Sequence, residues 1–344
     1  MPASLARARS RHQNCGLSHP GRRPWWEGSA CGSMASMFAS VAEAGSGLEA
    51  QGYLPSREIA TSVFLAERLE KPLLVEGPAG VGKTELAVAL ARATQRTLVR
   101  LQCYEGLDEA KALYEWEYGK QLLYTQMLKE RIAESLAGAR TLAEAAERLD
   151  AEGNVFFSER FLLPRPILRA VTSEEPVLLL VDEVDKADPE FEAFLLEVLA
   201  DGAVTVPELG TLRARHPPLA VLTSNATREL SDALRRRCLH LYIDFPTQER
   251  ELAIVRSRVP EAKEAFARQV VSAVAVLRSL DLKKPPSISE TLDWVRSLLL
   301  LGAHELDEKV VSETLRVLLK HEADAAAARP RIAEVARGAP PGRA

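Results

Sequence analysis

Eight residues, Gly77 to Thr84, read GPAGVGKT and fit the pattern G-x-x-x-x-G-K-[ST]. Glycines at Gly77, Gly80 and Gly82 let backbone N–H groups curl around phosphate oxygens where a Cβ would obstruct, with Pro78, Ala79 and Val81 completing the loop. A helix that opens at Lys83 adds its positive N-terminal dipole. The Lys83 ammonium can then reach the β and γ phosphates, and the Thr84 hydroxyl can bind Mg²⁺. The chemistry these residue types suit is the binding of a nucleotide's phosphates with Mg²⁺. An apolar strand before the loop and a helix after it separate the pattern from a chance glycine-rich turn.

A second group of polar residues follows further along. Val177 to Asp185 reads VLLLVDEVD, five apolar residues that deliver two acids at the end of a buried strand. Ligands bind open α/β sheets at that end of the strands. Asp182 is placed to hold the water shell of Mg²⁺, and Glu183 to orient or deprotonate an attacking water. A small-molecule kinase must keep water out, whereas a hydrolase needs a residue that activates it, so Glu183 favours hydrolysis. AVLTSN, Ala220 to Asn225, is another apolar strand ending in polar residues. Asn225 there could hold the lytic water, although an asparagine after a strand also serves as a turn residue.

These residues need a scaffold that brings strand ends together. Continuous apolar runs at Pro72 to Val75, Thr97 to Leu101, Val177 to Val181, Leu219 to Thr223 and Leu239 to Ile243 read as buried parallel strands. Helices supply the crossovers, among them Arg57 to Leu69 and the segment running from Lys83 to about Ala93. After Pro246 strand-like runs stop, and Glu249 to Arg258, Lys263 to Leu280, Glu290 to Leu301 and Glu305 to His321 read as helices. The expected organisation is a leader over 1–44, an α/β nucleotide-binding domain over 45–246, a helical lid over 247–325 and a flexible tail over 326–344. The first 33 residues are rich in Arg, Ser and Pro, with no acid before Glu27. They read as a disordered leader, a transit peptide, or sequence upstream of a start at Met34 or Met37.

Bulk composition narrows the function classes. With 344 residues, 47% hydrophobic and 27% charged, the chain suits one large or two modest globular domains. A net charge of −4 gives no overall attraction to nucleic acid or to an anionic membrane. No apolar run approaches the roughly 20 residues that span a bilayer. Cys15, Cys31, Cys103 and Cys238 lack metal-ligand or redox spacing and read as unpaired thiols of a reducing, cytoplasmic compartment. His216, His240, His304 and His321 are isolated, so no metal site is assigned to them. The aromatic run YEWEYGKQLLY, Tyr114 to Tyr124, could contact a client, and packing against its own domain is the plainer reading.

Together these stretches resemble the AAA+ ATPases, most closely the MoxR group, from about Gly45 to Ala325. GPAGVGKT is similar to the Walker A motif of that family and LLLVDEVD to its Walker B. TSN at Thr223 to Asn225 resembles sensor 1, and DALRRRC, Asp232 to Cys238, its arginine-finger box. Leu101 to Leu123 resembles the helix 2 insert of this clade, and Phe191 to Ala214 the helix and β-hairpin before sensor 1. LYEWEYGKQLL and KKPPSISETLDWVRSLL, Lys283 to Leu299, resemble the branch encoded beside carbon monoxide dehydrogenase and related molybdenum hydroxylases, the CoxD-like proteins.

The resemblance implies a P-loop NTPase α/β domain with a small all-α lid. It also implies a homo-oligomeric, usually hexameric ring with nucleotide at the seam between neighbours. Such a ring acts as a chaperone-like remodelling ATPase, with a von Willebrand factor A domain partner and a metalloenzyme client. A slow nucleotide-dependent scaffold and a nucleic-acid motor stand as alternatives, although no nucleic-acid partner is expected. Consecutive helix positions point about 100° apart, so Arg235, Arg236 and Arg237 cannot share one target. The family box implies that Arg237, just before Cys238, reaches the γ-phosphate of a neighbouring subunit, with Arg236 the second choice. Arg235 is then left as a cation near a helix end. By the same analogy Tyr53 and Leu54 flank the base. The family often carries a sensor 2 arginine at the start of a lid helix; this chain has Ser287, Ile288 and Ser289 there, so either another lid residue, such as Lys283 or Lys284, contacts the γ-phosphate or lid closure is coupled differently to nucleotide state.

Overall fold

A computed structural model of the chain describes residues 38–127, 129, 141, 144, 161–207 and 210–338. Of the leader expected over 1–44, residues 1–37, with Cys15 and Cys31, lie outside the described residues. The fold is already under way at Phe38, which is buried and lies over Gly47. Ser40 caps the first helix, α1 (Val41–Ala50), by accepting from Glu43 N–H. The packed unit therefore starts before residue 45, where the nucleotide-binding domain was expected to open. Helix α2 (Arg57–Arg68) follows, capped by Ser56.

Next come β1 (Leu73–Glu76), α3 (Lys83–Ala93), β2 (Thr97–Gln102), α4 (Glu109–Leu113), β3 (Tyr114–Trp116) and α5 (Tyr118–Met127). After the gap lie β4 (Leu162–Pro164), α6 (Pro166–Val171), β5 (Val177–Asp182), α7 (Pro189–Asp201), β6 (Ala203–Val206) and β7 (Gly210–Arg213). The domain closes with β8 (Leu219–Ser224), α8 (Asp232–Arg237) and β9 (Leu239–Tyr242). Five strands pair in parallel in the order β2-β5-β8-β1-β9. All six residues of β5 and all six of β8 are buried, as a strand covered on both faces requires.

The period of two divides the sheet between two cores. Leu74, Leu179, Val181, Ala220 and Leu222 face the layer of α4, α6, α7 and α8. Leu73, Val75, Leu178, Leu180 and Val221 face α1, α2 and α3. Register aligns the strand ends that matter: Gln102 lies beside Asp182, and Val75 beside Thr223. The aromatic run divides. Tyr114 and Trp116 form a small antiparallel pair with β4 and meet edge to face at 5.8 Å, while Tyr118, Leu122, Leu123 and Met127 of α5 are exposed.

The helical region contains α9 (Gln248–Arg258), α10 (Glu264–Arg278), α11 (Ile288–Leu300), α12 (Glu308–Leu318), α13 (Glu322–Ala328) and α14 (Ile332–Arg337). It buries its own core around Phe266, Trp294 and Leu315. Helix α12 starts at Glu308 because Asp307 caps it through Val310 N–H. The flexible tail expected from residue 326 is corrected: α13 and α14 fold onto the lid, and Ala328 and Val335 are fully buried in its core. Asp324, 3% exposed, accepts from the N–H groups of Lys283 and Lys284 and pins this end to the α10–α11 connection.

Candidate nucleotide site

The loop from β1 to α3 has the backbone its glycines allow. Gly77 adopts φ +148°, and a Cβ there would run into the Ile243 carbonyl. Gly80 adopts φ +76°, and a Cβ there would overlap the Ser287 hydroxyl of the lid. A side chain at either position would push out β9 or the lid helix α11. Gly82 opens α3 without any side-chain cap, so no side chain covers the first N–H groups of that helix. Lys83 is buried, and its Nζ donates to Gly77 O at 2.7 Å, Pro78 O at 2.7 Å and Asn225 Oδ1 at 2.8 Å. Burial pulls its pKa down, and the nearby Asp185, Asp182 and Glu183 only partly offset that.

Across the cleft, Asp182 at the end of β5 is buried. Its Oδ1 accepts from Thr223 Oγ1 at 2.5 Å and Thr84 Oγ1 at 3.0 Å; its Oδ2 accepts from Arg100 Nη2 at 2.5 Å. Glu183 sits in the left-handed region, φ 57° and ψ 50°, which is uncommon for a residue with a Cβ. Its N–H donates to Thr223 Oγ1 at 2.9 Å. Its carboxylate accepts from Asn225 Nδ2 (3.1 Å), Gln102 Nε2 (2.8 Å) and Lys186 Nζ (2.7 Å). Asp185 accepts from the N–H groups of Asn225 and Thr227 and from the Thr227 hydroxyl at 2.6 Å. Burial would raise its pKa, but these hydrogen bonds outweigh it and hold Asp185 below the ordinary value.

One cleft of about 330 Å³ gathers Ala79, Gly80, Gly82, Lys83, Thr84, Asp182, Glu183 and Asn225. Gly77 and Pro78 border it through their bonds to Lys83, while Val81 lines a second cavity of about 230 Å³ together with Tyr53 and Leu54. The residues fit a magnesium nucleotide: glycine backbone and an uncapped helix end for phosphate oxygens, a lysine, and a threonine facing an aspartate across 3.0 Å. Thr84 and Asp182 would hold Mg²⁺. Lys283 and Lys284 do not line the cleft, whereas Ser289 does, with its hydroxyl 3.4 Å from Gly80 O.

The three arginines separate. Arg236 is exposed, Arg237 is exposed with Nη1 donating to Leu196 O at 2.6 Å, and neither lines the cleft. Arg235 stands in the last turn of α8, as expected of a cation near a helix end, and it has a further partner. Its guanidinium meets buried Glu76 at 3.1 Å, and His240 Nε2 meets the same carboxylate at 2.6 Å. That buried acid, directly before Gly77, needs partners.

Sequence reasoning did not single out Arg100, Gln102, Asp185 or Lys186. The first two carried a signal in R-x-Q: positions 100 and 102 share one face of β2, beside the acid-bearing strand. Asp185 is the second aspartate of VDEVD, and only the approach of β8 shows what it holds.

Residues 72–238 match the family described as AAA domain (dynein-related subfamily). The gas vesicle ATPase GvpN of Haloferax mediterranei is 30% identical over 217 residues, which cover 60% of this chain and 56% of that protein. GvpN1 of Halobacterium salinarum is 25% identical over 247 residues, 66% of this chain and 65% of that protein. The chloroplastic chaperone protein ClpD2 of Oryza sativa subsp. japonica is 27% identical over 215 residues, 62% of this chain and 18% of that protein. The chain thus spans little more than half the length of the first of these relatives. The loop and the parallel sheet order give residues 72–238 a P-loop α/β fold that is similar to the AAA domain, followed by a helical region.

Proposed function

We propose that this AAA domain and its lid form a MoxR-like AAA+ ATPase that hydrolyses ATP to remodel a protein client. The carrying observation is the single cleft in which Lys83, Thr84, Asp182, Glu183 and Asn225 converge. Bound ATP would lie on the loop of Gly77 to Gly82, with Lys83 turning from the loop carbonyls towards its phosphates. Thr84 and Asp182 would hold the magnesium, which when bound would neutralise charge on the phosphates. Glu183, held by Asn225, Gln102 and Lys186, orients and deprotonates a water. Asn225 bridges Lys83 and Glu183 and so ties phosphate binding to the base.

Arg237 acts in trans: it does not line its own cleft, and a neighbour in a hexameric ring would present it to the γ-phosphate. Arg236 is the second choice. Among the described residues no helix is long and apolar enough to cross a membrane, and we place the ring in the cytoplasm. The resemblance of the stretch at 113–123 and of the lid to CoxD-like proteins favours a metalloenzyme client, such as a molybdenum hydroxylase, and a von Willebrand factor A domain partner.

The test is ATP turnover and light scattering on wild type, Glu183→Gln and Arg237→Ala. We expect an ATP-dependent ring. Both variants should lose turnover by about 100-fold or more while Glu183→Gln still binds ATP. A Glu183→Gln protein that hydrolyses ATP normally would refute the assignment of the base, and full turnover by Arg237→Ala would refute the trans arginine.

A further inference from the structure

The chain lacks an arginine at the lid position that borders the phosphate cleft, where Ser289 stands. Another cation lies in that cleft. Arg100 projects from β2 into the space lined by Lys83, Thr84 and Ser289. Its side chain is 51% exposed, against 4% for its partner Asp182, so the guanidinium is the end free to move. Its Nη2 holds Asp182 Oδ2 at 2.5 Å and Gln102 Oε1 at 2.8 Å. Gln102 passes the contact on, donating from Nε2 to Glu183 Oε2 at 2.8 Å.

We propose that Arg100 is a phosphate-contacting residue supplied within the subunit, which leaves Asp182 for the terminal phosphate of a bound nucleoside triphosphate. This rests on the ATPase reading above. Asp182 Oδ1 accepts from the Thr223 hydroxyl at 2.5 Å, and the Thr84 hydroxyl lies 3.0 Å from Oδ1 and 3.3 Å from Oδ2, so Arg100 is the cation on the carboxylate that the water shell of a magnesium ion needs. Placing Mg²⁺ at Thr84 and Asp182 sets two cations against one carboxylate, and the mobile one is repelled. The nearest strong anion along this cleft is then the terminal phosphate, for which a planar guanidinium is suited. Departure of Arg100 also frees Gln102 Oε1, so the group that senses the phosphate is one hydrogen bond from the one holding Glu183. A diphosphate ends short of this position, so Arg100 should distinguish ATP from ADP.

The test compares binding of fluorescent ATP and ADP analogues by wild type, Arg100→Ala and Arg100→Lys, in Mg²⁺ and in EDTA, with thermal melting of each protein. In Mg²⁺ we expect Arg100→Ala to lose about tenfold in ATP affinity with ADP affinity unchanged, and Arg100→Lys to recover part of the loss. In EDTA, where Asp182 keeps the guanidinium, wild type and Arg100→Ala should show the same ratio of ATP to ADP affinity. A folded Arg100→Ala protein that keeps the wild-type preference for ATP in Mg²⁺ would overturn the proposal. Equal loss for both nucleotides would overturn it too, since that is what a merely structural arginine gives. If wild type binds neither nucleotide, the ATPase reading itself fails; if wild type prefers ATP and Arg100→Ala does so equally, only the role of Arg100 fails.

Discussion

Asp185 touches no phosphate in the proposed arrangement, yet it fixes the asparagine that does the bridging. Three donors from Asn225 and Thr227 converge on one carboxylate, holding the loop after β8 against β5. Removing that carboxylate leaves the Asn225 side chain without a fixed backbone. Asp185→Ala should lower kcat about tenfold, with the Kd for ATP within about twofold of wild type, because misplacement harms an attack geometry more than a binding one. Single-turnover kinetics would check it. The variant should also lose on the order of 2 kcal/mol of stability at neutral pH, from hydrogen bonds to a charged acceptor. Since the folded-state pKa is depressed, that contribution is present above the ordinary aspartate value and is lost as pH falls through the folded one. The gap between wild type and variant should therefore close only in strong acid. Equal denaturation curves at neutral pH would refute the anchoring role.

Helices and strands position these residues through two kinds of joint. Parallel register is the first: it sets Gln102 beside Asp182 and thereby brings the Arg100 face of β2 to the cleft. The second joint connects the lid to the sheet. Arg278 of α10, 13% exposed, pairs through both terminal nitrogens with fully buried Glu251 of α9, at 2.5 and 2.9 Å. Its Nε donates to Pro286 O, and its guanidinium lies 5.0 Å from the Phe245 ring centroid. Thr291 of α11 donates to the same glutamate. One arginine thus ties α9, α10, the approach to α11 and the segment leaving β9. Arg278→Ala strands a buried carboxylate and should cost about 3–5 kcal/mol, more than any exposed pair of the lid. Denaturant titration followed by the buried Trp294 would report it; a change below 1 kcal/mol would show that Glu251 finds other partners.

At the scale of the molecule, the lid includes residues 326–338 of the stretch that composition suggested was loose. Alanine-rich and arginine-rich stretches with prolines look solvated, but Ala325, Ala328 and Val335 are small apolar residues at helical spacing that fill gaps in the core around Phe266. Ending the chain after His321 should therefore lower the midpoint of lid unfolding by several degrees relative to a chain ending after Gly338. Calorimetry would distinguish the two, and equal midpoints would show that residues 322–338 add nothing to the lid.

Local placement was legible in the residues themselves. The phosphate loop, the acids after β5, the strand-end asparagine and the α/β-to-α boundary rest on short-range requirements: glycine where φ is positive, apolar runs where both faces are covered, polar residues where a strand ends. What folding alone decided depends on register and on long-range approach. No pattern in SDALRRRC could assign Arg235 to Glu76, because that contact spans 159 positions. Nor could TLVRLQ show that Arg100 and Gln102 reach Asp182 and Glu183, since the order β2-β5-β8-β1-β9 is fixed by two cores packing on opposite faces. Periodicity fixes which face a residue takes, and only the packed sheet fixes what stands opposite.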